Sequence, residues 1–169
     1  FAKAVTNGYQ PLGGVLISDR VADVIKAAGN DFAHGFTYSG HPASCAAAIA
    51  TLDILKNEDI INKVNTDIGP YFQSRWQQLG EHPIIGEARS IGMLGAIELV
   101  ADKNNSTRFP DGIAGPTCRD QCVKVGLVMR AVGDTMVVAP PLVMTHTEID
   151  ELFNKAWQAL DLTAAALAK

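Results

Sequence analysis

The stretch LVMRAVGDTMVVAP, residues 127–140, constrains the fold more than any other. Two runs rich in β-branched residues flank Gly133-Asp134, and a two-residue Gly-Asp loop between such runs predicts a β-hairpin. The next element along the chain is equally definite. Thr145-His146-Thr147-Glu148 fits a capping box, in which Thr145 accepts from the Glu148 amide and the Glu148 carboxylate reaches back. Met144 and Ile149 are placed to form a hydrophobic staple. Ile149, Leu152, Phe153, Ala156 and Leu160 then line one face of a helix. That face is for packing and carries no chemistry.

The rest of the chain alternates between short apolar runs and helical periods. Gly-Val-Leu-Ile-Ser at 14–18 predicts a short buried strand, and 19–28 a helix ending near Gly29-Asn30. Residues 31–41 read as a loop, broken by Gly35, Ser39 and Gly40. Pro42 suits the first turn of the next helix, where its missing N–H costs nothing. From Ala43 that helix is apolar nearly all round, the pattern of a helix buried or packed on another subunit. Residues 58–79 recur apolar at three- and four-residue steps, with a break or kink expected at Pro70 and a stop near Gly80. A turn at Ser90-Ile91-Gly92 leads into a strand over 93–100. Residues 102–112 read as a surface excursion, and 115–124 as a helix ending at Val125-Gly126. The composition shifts near residue 57, from glycine-rich and apolar to alternating helices and short strands, so a domain boundary is expected there.

The 169 residues are 47% hydrophobic and 19% charged, with net charge −4. That excludes disorder and a purely electrostatic nucleic-acid binder. No apolar stretch approaches the roughly 20 residues of a membrane span. Cys45, Cys118 and Cys122 cannot all pair, and no second ligand pair at zinc-finger spacing follows; reduced thiols in a cytoplasmic protein are expected. His34 and His41, seven apart, have no acidic or cysteine partner at metal-ligand spacing, so no metal is expected. The opening Phe1-Ala2-Lys3 reads as the interior of a longer polypeptide.

Three places could carry chemistry. Lys3 precedes a run of turn formers, Thr6, Asn7, Gly8, Pro11, Gly13 and Gly14. A buried, neutral amine there could form a Schiff base with a carbonyl, while composition alone makes it a solvated surface lysine. Thr37 lies in a glycine-flanked loop that opens a helix. It is either a phosphate-holding hydroxyl or an ordinary loop threonine bonded locally. Arg130, among apolar strand neighbours, is either a surface arginine or a bidentate clamp for a carboxylate. Arg119-Asp120 reads as a solvated helix face.

Together, FAKAVTNGYQPLGGVLIS, HGFTYSGHPASCAAA and GLVMRAVGDTMVVAPPLVMTHTEIDEL, with GMLGAIEL between the last two, resemble the class III pyridoxal-phosphate aminotransferases. More narrowly they resemble the ω-amine:pyruvate transaminases. The resemblance runs over nearly the whole chain and in the family's order. It implies an α/β protein of fold type I: residues 1–57 as the C-terminal end of the large cofactor-binding domain, and 58–169 as the small α+β C-terminal domain. It implies that Lys3 carries pyridoxal 5'-phosphate as a Schiff base. Phe36 and Thr37 match the pair that contacts the phosphate of the cofactor in the other subunit. Arg130 matches the arginine that binds a substrate carboxylate and swings away for an amine lacking one.

The implied activity is transfer of an amino group from a primary amine (diamine, monoamine or ω-amino acid) to pyruvate by a ping-pong route. The implied assembly is a cytoplasmic homodimer or dimer of dimers with a shared site, without nucleic-acid or membrane partners. The family's aspartate for the pyridine nitrogen, its ring-stacking aromatic and its same-subunit phosphate turn lie upstream of the lysine, so the activity is that of a longer protein. The alternatives are another enzyme of the same fold, a mutase or decarboxylase, and a non-catalytic binding or regulatory domain.

Overall fold

Four strands form one antiparallel sheet in the spatial order β1-β2-β4-β3: β1 (Ile85–Ile91), β2 (Leu94–Leu99), β3 (Arg130–Val132) and β4 (Thr135–Val138). The structure is a computed structural model and describes residues 1–29, 32–110 and 112–168. It divides into two units, Phe1–Asp59 and Ile60–Lys169, and the sheet belongs to the second.

In the second unit the β3–β4 hairpin forms around Gly133-Asp134, with Val132 opposite Thr135. Gly133 takes φ 58°, a conformation that suits glycine at the first loop position of such a turn. The turn expected at 90–92 is displaced. Ser90 and Ile91 belong to β1, and the chain reverses at Gly92 (φ 53°) and Met93. β1 itself is not predicted from the sequence. IGEARSI has little apolar alternation, because this edge strand buries Ile85 and leaves Gly86, Glu87 and Arg89 exposed.

The helices of this unit are α3 (Ile60–Lys63), α4 (Gly69–Gln78), α5 (Ala114–Lys124) and α6 (His146–Leu167). (α1, Asp19–Ala27, and α2, Pro42–Asn57, lie in the first unit.) A π-turn, Val64–Ile68, joins α3 to α4, and the Gly69 amide bonds the Val64 carbonyl. The extra residue in that turn is how the chain absorbs Pro70, which sits in the first turn of α4 where no N–H is required. A side chain at Gly69 would collide with the Val64 carbonyl. α6 begins with the complete capping box at Thr145 and Glu148.

Phe72, Trp76, Ile97, Met136, Ile149 and Leu160 form the centre of the core, each at most 1% exposed. Trp76 lies under Gly95, where a Cβ would stand 2.6 Å from the indole, and its Nε1 donates to the Ala96 carbonyl at 3.2 Å. The opposite sheet face is open. There the register aligns Arg130 with Val137 and Ala96, and Val132 with Thr135 and Glu98.

In the first unit, a 3-10 turn at Lys3–Thr6 is followed by α1 (Asp19–Ala27) and α2 (Pro42–Asn57). Asn30 and Asp31, at the expected α1 end and the start of the loop, lie outside the described residues, as does Asp111 of the surface excursion. One expectation is corrected. Residues 14–18 are not a buried strand. Only Gly14 is bonded across, to Phe1 beside the Ala2–Gly13 bridge; residues 15–18 form no ladder with any described residue, and Val15 and Leu16 are 84% and 90% exposed. Within its unit α2 covers Ser44 and Ala48 and leaves Ile49, Leu52 and Ile54 bare, so of the two expected placements, buried or packed on another subunit, it is not the first within this unit. No helix among the described residues is long and apolar enough to cross a membrane.

Candidate functional site

Lys3 opens the 3-10 turn with φ 54°, in the left-handed region that residues with a Cβ rarely enter. Such a conformation costs on the order of 1–3 kcal/mol and persists only where the surroundings impose it. Here they do. Ala2 bridges to Gly13 across the loop, and the Gly14 amide donates to the Phe1 carbonyl at 2.9 Å. Inside the loop Thr6 is 1% exposed, and its Oγ1 donates to the Gln10 carbonyl at 2.6 Å. α2 packs against this turn. A side chain at Gly14 would displace the Phe1 ring that lies over it. The Lys3 side chain is exposed, with no hydrogen bond or ion pair to any described residue.

The 34–41 loop is built from short-range turns. The Ser39 amide donates to the Phe36 carbonyl at 2.9 Å, and the Phe36 amide donates to Ser39 Oγ at 3.2 Å. Gly40 takes φ 71°, and His41 caps α2 by accepting from the Ser44 amide at 3.4 Å. His34 stands edge-on to Phe36 at 5.3 Å. The Phe36 and Thr37 side chains both point to solvent, and the Thr37 hydroxyl bonds no described residue. The local hydrogen bond that an ordinary loop threonine makes is therefore missing. No hydrogen bond or ring contact joins Lys3 to Phe36 or Thr37.

Arg130 lies in the second unit, at the end of β3 away from the turn, exposed and without an ion pair to any described residue. Arg108 of that unit is likewise exposed without an ion pair to any described residue, while three others are occupied. Arg75 Nε meets Asp150 at 2.7 Å, Arg89 bridges Glu87 and Glu98 at 2.9 and 3.0 Å, and Arg119 meets Asp120 at 2.8 Å. Beside Arg130 is a cavity of about 650 Å³, lined among others by Val128, Val137, Pro141, Leu152 and Lys155. The hollow also carries Glu148 and Glu151, the first bonded to Thr145 and the second to Lys155, and a guanidinium without an ion pair at its edge can accept an external carboxylate.

A second cavity, of about 540 Å³, lies over Glu87, Glu98, Arg108 and Asp134. Its acids are already used: Arg89 holds both glutamates, and Asp134 Oδ1 accepts from the Gly115 amide at 2.9 Å. That contact gives Asp134 a function that its loop-forming composition does not reveal. On α5, Cys118 and Cys122 are buried one turn apart. The thiol hydrogen bond between them pushes Cys122 far up and draws Cys118 down, which leaves Cys122 an inert thiol.

The sequence profile of the class-III aminotransferases matches residues 1–160. The putrescine–pyruvate aminotransferase of Pseudomonas aeruginosa is 50% identical over 166 residues, which are 98% of this chain and 36% of that protein. A probable mitochondrial γ-aminobutyrate transaminase 3 of Oryza sativa subsp. indica is 40% identical, over 99% of this chain and 34% of its own. Among solved structures, a transaminase obtained by directed evolution through ancestral reconstruction superimposes with a TM-score of 0.92 at 41% identity, covering 98% of this chain and 37% of that one. The PMP-bound aminotransferase of Vibrio fluvialis gives 0.88 at 35% identity, with 98% and 37% covered. The chain spans about a third of the length of the relatives it matches.

Proposed function

The chain belongs to the class-III aminotransferase family, pyridoxal-phosphate-dependent enzymes of fold type I, and from that premise we propose that it forms the C-terminal third of an amine:pyruvate transaminase. Residues 1–57 complete the large domain and 58–169 make the small one. The donor is a primary amine, with an aliphatic diamine or monoamine ahead of an ω-amino acid. The 50% identity to a putrescine–pyruvate enzyme, against 40% and 44% to two γ-aminobutyrate enzymes, supports that order. The enzyme works as a cytoplasmic homodimer, or a dimer of dimers, with its site shared between copies.

The observation that carries this reading is Lys3, a free primary amine on a left-handed backbone held by a tied, glycine-rich loop. The residues present fit the cofactor. An unpartnered amine suits the aldehyde of pyridoxal phosphate, and an unpartnered Thr37 hydroxyl suits its phosphate. When bound, that group supplies an electron sink for the bond broken beside the amino nitrogen. Lys3 Nζ would hold it and, when free, would move a proton at the donor carbon next to nitrogen, the work of a general base. Thr37 Oγ1, with Phe36 beside it, would donate to the phosphate bound by the other copy. Arg130 grips the pyruvate carboxylate through two parallel N–H donors and stands aside for the amine. Donor and acceptor thus use one site in turn, which is ping-pong kinetics.

Arg130→Ala in the full-length enzyme tests the acceptor. Losing a charge-assisted pair is expected to slow the pyruvate half-reaction about 10- to 100-fold in single turnover and to leave the amine half-reaction within about twofold. Equal loss in both half-reactions would remove Arg130 from the carboxylate site.

A further inference from the structure

We infer that Asp134 is the positioning residue for Arg130, tying the β3–β4 turn to α5 and β2 so that the guanidinium is presented to the substrate carboxylate from a fixed strand. The inference rests on the reading of Arg130 as the carboxylate site. It starts from how little holds β3. That strand is three residues long, lies at the sheet edge and has one ladder neighbour, β4. Three residues of ladder on one side hold it, so its position leans on whatever fixes the turn that joins it to β4.

The anchor is the turn. Asp134 Oδ1 accepts from the Gly115 amide at 2.9 Å, and the Asp134 carbonyl accepts from the Leu99 amide at 3.0 Å. One residue therefore joins the hairpin to the start of α5 and to the end of β2. The approach is close. A Cβ at Gly115 would overlap the Gly133 carbonyl, so the helix start and the turn are in direct backbone contact.

The bond also serves α5. Its N-cap, Ile113, offers no side-chain cap, and its first turn holds no acid. The Asp134 carboxylate fills both roles from outside, satisfying an orphan amide and placing negative charge at the positive helix end.

The test uses Asp134→Ala, Asp134→Asn and Asp134→Glu in the full-length enzyme, with both half-reactions followed by cofactor absorbance. Misplacing a positioned group by an ångström costs up to about 100-fold. Asp134→Ala is therefore expected to raise half-saturation by pyruvate at least about tenfold, with the amine half-reaction within about twofold. Asp134→Asn, whose side-chain oxygen still accepts from Gly115, is expected to restore most of the loss. If Asp134→Ala does not accumulate as folded protein, Asp134→Glu carries the test. Its extra methylene displaces the turn while keeping the charge, and pyruvate half-saturation is expected to rise about threefold or more. Equal damage to both half-reactions, or none in either Ala or Glu, overturns the inference. An Arg130→Ala enzyme that shows the selective pyruvate defect while the Asp134 variants do not overturns the positioning role alone. An Arg130→Ala enzyme without that defect overturns the carboxylate reading beneath it.

Discussion

Phe72, Trp76, Ile97 and Met136 close the core of Ile60–Lys169, whereas among the described residues of Phe1–Asp59 the one buried apolar side chain is Ala48. The first unit leaves Val15, Leu16, Val24 and Ile49 more than half exposed. Burying a side chain of that size is worth about 1.5–3 kcal/mol, and this unit forgoes it repeatedly. Its well-held parts are local: the knot around Lys3 and the turns around Phe36. The second unit has a shared core that fixes a sheet and, through the sheet, Arg130. A few hydrogen bonds are thus enough to shape chemistry-bearing loops, while self-sufficient folding needs an enclosed apolar centre.

Separating the halves gives the largest expected effect. Residues 60–169 expressed alone are expected to melt cooperatively by circular dichroism, and residues 1–59 alone to show no cooperative transition. A cooperative melt for 1–59 would contradict the contrast. Within the second unit, Trp76→Ala is expected to cost about 3–5 kcal/mol in urea unfolding of the 60–169 segment, since it removes the plate beneath Gly95. A loss under about 1 kcal/mol, well below that range, would place the core elsewhere.

The smallest effect is at the start of α6, where Thr145→Ala is expected to cost about 1 kcal/mol. The Thr145 amide and hydroxyl, bonding the Glu148 carboxylate, hold its pKa below the ordinary glutamate range. That contribution is complete at neutral pH and is lost as pH falls through the depressed value. Glu148→Gln should flatten this part of the acid limb of stability; an unchanged limb would remove the box from the account.

The parts legible in the sequence are those set by neighbours along the chain. The Gly133-Asp134 hairpin and the Thr145 capping box formed as their residues dictate, because a turn and a cap are decided within four residues. β1 was hidden, since Ile85–Ile91 is an edge strand whose pairing with β2, not its own pattern, makes it a strand. The run at 14–18 misleads for the converse reason: β-branched residues favour a strand, but a strand needs a partner. At the site, Lys3, Phe36, Thr37 and Arg130 were named by motif. The left-handed Lys3 backbone and the Asp134–Gly115 bond were not, because the first depends on a loop closed at Ala2–Gly13 and the second joins residues 19 apart.

Every role proposed for the site depends on Lys3 holding the cofactor. Borohydride reduction of the full-length enzyme with pyridoxal phosphate, followed by digestion and mass spectrometry, tests this most directly. A reduced pyridoxyl group is expected on the peptide containing Lys3, with no trapped cofactor in Lys3→Ala. A pyridoxyl group on a different lysine, or full trapping in Lys3→Ala, would contradict it.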